Sequence, residues 1–146
     1  MEKIFIFYKG FAIFVGNIIN GITDKIVPKD GVRRVGNLIE VEMKNPLPKY
    51  TLKSFRIEQI QEYSEIFLND RLMNLEDLQK IKVFIKDQWY SITDFERIEE
   101  IKIPHKSHSI IAFPGQYCAD SQFKLKIRIK SKKPIEITLE REIQTE

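Results

Sequence analysis

Phe123-Lys124-Leu125-Lys126-Ile127-Arg128-Ile129-Lys130, answered after Ser131-Lys132-Lys133-Pro134 by Ile135-Glu136-Ile137-Thr138-Leu139-Glu140, decides the fold class of this chain. Successive side chains of a β-strand point to opposite faces, so alternation of apolar and charged residues marks a strand with one face buried and one in water. Phe123, Leu125, Ile127 and Ile129 share one face, while Lys124, Lys126, Arg128 and Lys130 share the other. Ile135, Ile137 and Leu139 return with Glu136, Thr138 and Glu140 opposite them, and Lys132-Lys133-Pro134 supplies the reversal. A register that sets Ile129 opposite Ile135 places Arg128 against Glu136 and Lys124 against Glu140.

The same period recurs upstream. Ser109–Phe113 is stopped by Pro114-Gly115, and Ile98–Ile103 by Pro104. Ile81, Val83 and Ile85 alternate with Lys80, Lys82 and Lys86, Asp87-Gln88 turns, and Trp89–Thr93 comes back. Leu38–Met43 alternates around Glu40 and Glu42 until Asn45-Pro46-Leu47-Pro48 removes ladder donors. Tyr50–Ile60 reads as the next strand. Between Gln61 and Leu78 the pattern loosens; Leu72, Leu75 and Leu78, three apart, predict one short helical turn capped by Asn74. Seven to nine short strands separated by Pro and Gly predict a mainly β chain, a single antiparallel β-sandwich of Ig-like or jelly-roll-like type.

Composition agrees. The 146 residues hold 24 Ile and 10 Phe against 3 Ala, a balance that suits a pleated surface better than a helix. With 42% hydrophobic and 31% charged residues the chain can bury a core and is no disordered tail. The length fits one domain. Its parts are an apolar arm at 1–23, a connecting loop at 24–37 marked by Pro28, Asp30-Gly31 and Gly36, and the sandwich at 38–146.

The arm departs from the alternation. Residues 4–23 carry one charge, Lys9. Ile4–Tyr8 and Phe11–Val15 with Lys9-Gly10 between them read as a β-hairpin. Phe7, Phe11, Phe14, Val15, Ile18 and Ile22 also fall at helical spacing, although Gly10, Gly16 and Gly21 weaken a helix. Residues 4–22 are finally long enough to anchor in a membrane, interrupted by Lys9, Asn17 and Asn20. The core hairpin is the primary expectation and the membrane tether its alternative.

Two short stretches resemble the WHy β-sandwich family: Asn45-Pro46 between the early strands, and Ile103-Pro104 with a Ser/His turn before Ile110–Phe113. The resemblance implies a sandwich without catalytic residues, sometimes membrane-tethered. The span between the stretches exceeds the family's pattern, so no family is assigned.

Chemistry leaves few traces. A net charge of +3 supports solubility and does not mark a nucleic-acid binder. The ladder Lys124, Lys126, Arg128 and Lys130 could track a phosphate backbone, yet cross-strand Glu residues would pair it and no aromatic platform accompanies it. His105 and His108 lack the spacing and partners of a metal site, with only Cys118 and Asp120 near in sequence. Cys118 with His108 as thiol and base has no flanking signature. No Walker loop, GxGxxG or GxSxG is present. The lone Cys118 excludes an intrachain disulfide and suits a reducing, cytoplasmic setting.

The sequence therefore predicts a non-enzymatic binding or structural module without metal, cofactor or catalytic residues. It acts on another protein or on itself, through a sheet edge or through Phe7, Phe11 and Phe14 of the arm. The alternatives are a membrane-associated domain anchored by residues 4–22, and nucleic-acid or anionic-polymer binding by Lys124, Lys126, Arg128 and Lys130.

Overall fold

The computed structural model describes residues 27–44, 49–54, 56–118, 121–130 and 135–145. The arm, with Phe7, Phe11 and Phe14, and the Lys132-Lys133-Pro134 turn lie outside the described residues. Among the described residues the chain is mainly β, with two larger antiparallel-rich sheets, a separate strand pair and two short α-helices.

The strands in chain order are β1 Val32–Val35, β2 Leu38–Lys44, β3 Tyr50–Lys53, β4 Ser64–Leu68, β5 Arg71–Leu72 and β6 Lys82–Ile85. They continue with β7 Gln88–Ser91, β8 Glu100–Ile103, β9 His108–Pro114, β10 Gln122–Ile129, β11 Ile135–Glu142 and β12 Gln144–Thr145. This exceeds the expected seven to nine, because β1, β4, β5 and β12 lie in stretches whose residues carry no clear strand alternation. Val32–Val35, inside the stretch read as loop, is a strand of the main sheet.

The six-stranded sheet runs β12-β1-β2-β9-β6-β7, the four-stranded sheet β11-β10-β4-β5, and β3 pairs with β8. Only β1 and β12 pair in parallel among the described strands; the remaining ladders are antiparallel. The chain passes from β11 in one sheet to β12 in the other across the single residue Ile143. That side chain is buried, and its backbone N–H donates to the Ser121 carbonyl at 2.6 Å.

Alternation does what the sequence requires of it. In β2, Ile39, Val41 and Met43 are buried while Glu40 and Glu42 are half-exposed. In β10, Phe123, Leu125 and Ile127 are buried, and the β10–β11 register pairs Ile129 with Ile135, Arg128 with Glu136 and Lys124 with Glu140, as the sequence predicts. Phe113 of β9 meets Phe123 of β10 with ring centroids 5.8 Å apart, so the two sheets touch through one shared core. Adjoining turns demand left-handed backbone: Asn69-Asp70 joins β4 to β5 and Lys86-Asp87 joins β6 to β7, all four at positive φ. Two consecutive left-handed residues match the strand twist of a tight hairpin. The second of these turns lies one residue earlier than the expected Asp87-Gln88.

The predicted strand Tyr50–Ile60 is corrected. It ends at Lys53, and α1 spans Ile57–Tyr63, with Ile57 and Ile60 buried on one side. The Arg56 N–H donates to Gln59 Oε1 at 2.9 Å, satisfying a donor at the helix start. The predicted turn is α2, Leu75–Leu78, capped by Asn74, whose Oδ1 accepts from the Asp77 N–H at 2.9 Å. Asp77 is buried: it accepts from the Asn74 N–H at 3.3 Å and from the Tyr117 hydroxyl.

Candidate functional site

Registers across the six-stranded sheet line up one row of outward side chains. Glu42 of β2 stands beside Ile110 of β9, Ile110 beside Phe84 of β6, and Phe84 beside Trp89 of β7. Glu42 and Phe84 lie out of phase with the buried Val41, Met43, Val83 and Ile85 of their strands, and Ile110 and Trp89 stand opposite them in the ladders, so all four share the outer face. Phe84 and Trp89 pack at a centroid distance of 5.2 Å, tilted by 56°. Trp89 is 44% exposed, and among the described residues β7 is the last strand of its sheet, so the row ends at that edge. The other exposed large hydrophobic residue among the described ones, Leu72, at 50%, also sits on an edge strand, β5.

Phe84 and Ile110 also form one wall of a concavity of about 370 Å³, completed by Ile85, Ile103, Pro104 and polar groups of Glu42, Asp87 and His108. His108 Nδ1 lies 3.6 Å from Glu42 Oε1. The site therefore combines an aromatic row with a groove whose apolar wall has charged groups around it, an arrangement common to protein contact surfaces.

The basic ladder is a different surface. Lys124 Nζ is 3.1 Å from Asp70, Lys126 Nζ 3.7 Å from Glu136, and Arg128 3.6 Å from Glu65 and 3.3 Å from Glu136. Lys130 Nζ donates to the Gln61 carbonyl at 3.3 Å. β10 is an interior strand, so acids reach its cations from both neighbours. The expected lack of an aromatic is corrected: Phe67 of β4 stands opposite Lys126. The Lys126 and Arg128 cations lie 5.6 and 5.5 Å from its ring centroid, so they already use that face.

Cys118 and His108 are not brought together. His108 opens β9 while Cys118 lies beyond its other end, and Cys118 is fully buried. Burial pushes its thiol up to about 11, against the opposing charge of Arg34, the reverse of an activated nucleophile. No three His, Cys, Asp or Glu side chains converge among the described residues, Asp120 being outside them. No helix of the described residues is long and apolar enough to cross a membrane; residues 4–22 are not among them.

Sequence reading missed the row because its members come from four strands. Trp89 shows the usable signal, a large aromatic on the outward phase of a short strand beside a tight turn. Neither models of known protein families nor curated proteins match this chain.

Proposed function

We propose that this chain is a non-enzymatic protein-binding module, and that its partner packs on the Ile110–Phe84–Trp89 row at the β7 edge. The single observation that carries the reading is Trp89, 44% exposed at the end of a cross-strand row on the last strand of its sheet among the described residues. A free edge offers unpaired backbone groups for strand addition, and an exposed Trp offers the side chain most enriched at binding hot spots. We read the two sheets as the halves of one β-sandwich, supported by the Phe113–Phe123 contact and by the sheet switch at Ile143. The lone buried thiol fits a cytoplasmic setting.

Trp89 is the only tryptophan, so its emission reports on this surface directly. A photo-crosslinking residue at position 89, combined with sedimentation analysis of the pure chain, tests the proposal. The expected result is a position-specific crosslink to a protein or to a second copy, lost in Phe84→Glu, with Trp89→Ser weakening association by about 2 kcal/mol. A monomer that yields no specific crosslink at position 89 would overturn it.

A further inference from the structure

At the opposite end of β6 and β9 from the aromatic groove lies a second concavity of about 620 Å³, lined by Arg34, Lys80 and Lys82 together with Gly36, Gly115 and Gln116. Its described lining contains no carboxylate. Three elements supply the cations: β1 carries Arg34, the turn after α2 carries Lys80, and β6 carries Lys82. Among the described residues none of the three makes an ion pair within 4 Å, whereas Lys124, Lys126 and Arg128 all do. The carboxylate nearest Lys80 in sequence, Asp77, is committed to Tyr117 and Asn74, and Glu40 stands opposite Arg33 in the β1–β2 ladder.

The Arg34 head is held in place. Its Nη2 donates to the Cys118 carbonyl oxygen, and its Nη1 rests against Gly115. A Cβ at position 115 would come within 3.1 Å of that nitrogen and 2.8 Å of the Asn37 carbonyl oxygen, so glycine is what lets the guanidinium settle there. Gly36 sits at φ +59° with open space where a side chain would stand, leaving bare backbone at the rim.

We infer that this concavity is a binding site for a small phosphate-bearing anion, with Arg34 as the positioned fork and Lys80 and Lys82 as the mobile cations. A guanidinium matches two phosphate oxygens at once, and ammonium groups on flexible stems close on the remaining charge. The volume suits a small molecule. A polymer would need a continuing row of unpaired cations, and the ladder on β10 is already neutralised.

The test is calorimetric titration of the full chain with inorganic phosphate, pyrophosphate and glycerol phosphate, ionic strength being held constant with chloride. A parallel arm measures sedimentation with phosphatidylcholine vesicles, with and without phosphatidylinositol phosphates. Saturable binding in either arm, weakened about tenfold or more in Lys80→Gln/Lys82→Gln and unchanged in Lys124→Gln, is the expected result. The arm that responds separates a free phosphate ester from a lipid headgroup. Both lysines are exposed, so this double variant retains the fold, and Arg34→Lys then tests the fork separately. Absence of binding in both arms, or binding indifferent to Lys80 and Lys82, would overturn the assignment.

Discussion

The contact between Phe113 and Phe123 is where the joining of the two sheets can be measured. Both rings are fully buried, one on β9 of the six-stranded sheet and one on β10 of the four-stranded sheet, with centroids 5.8 Å apart and planes tilted by 50°. Phe→Leu at either site keeps an apolar side chain of similar bulk and costs about 1 kcal/mol through lost transfer energy and a small cavity. A tilted aromatic pair adds about 0.5–1.5 kcal/mol beyond area burial, and either single substitution removes it. The double variant loses that term only once. It should therefore be more stable, by about 0.5–1.5 kcal/mol, than the sum of the single losses predicts. Equilibrium unfolding in urea, followed by circular dichroism and by Trp89 emission, gives the four free energies of the cycle. Additivity within about 0.3 kcal/mol would refute the reasoning, because rings that do not touch cannot couple.

The two glycines beside Arg34 separate steric from conformational cost. Gly115→Ala drives a methyl to 2.8 Å from the Asn37 oxygen that accepts from the Gly115 N–H, and should cost about 2–4 kcal/mol. Gly36→Ala meets open space and should cost only about 1 kcal/mol, for its positive φ; equal losses in urea titration would contradict this. Alkaline pH should destabilise the fold. Burial raises the Cys118 pKa from 9.0 to about 11, and the hydrogen bond to Asp77 raises that of Tyr117 from 10.0. A raised pKa favours the protonated form in the folded state, so the stability it contributes is complete below the unfolded pKa. That contribution falls as pH climbs through the folded one. Melting temperatures measured from pH 8 to 11 should drop, less steeply in Cys118→Ala, and a flat profile would count against the burial of the thiol.

Elements that bury one face and wet the other were legible in the residues. β2, β6 and the β10–β11 hairpin carry alternation strong enough to fix even the cross-strand pairing of Arg128 with Glu136. Asn74 was legible as a cap because its side chain has a local task. α1 was hidden by composition: Ile57 and Ile60 are β-branched, and only their spacing of three and Gln59 at the third helical position spoke for a helix. β4 was hidden by Ser64, a loop-like residue that is buried because its hydroxyl donates to the Ile60 carbonyl at 2.6 Å. The buried state of Asp77 depends on Tyr117, forty residues away, and no local pattern conveys that. The same holds for both candidate sites. Trp89 meets Phe84 across a turn, but Ile110 joins them, and Arg34 joins Lys80 and Lys82, only after the sheet is assembled.

The parallel ladder between β1 and β12 bears on the order in which the molecule is built. Arg33 pairs with Gln144 across more than a hundred intervening residues, whereas β6–β7 and β10–β11 close over turns of a few residues. Pairings distant along the chain carry the largest loop-closure cost and form late. During synthesis the hairpins can thus assemble while the larger sheet's edge at the short strand β1 waits for β12 to emerge. A translation pause or a truncation before Gln144 would leave that edge open to strands of other chains, which makes this two-residue strand a guard against aggregation out of proportion to its size.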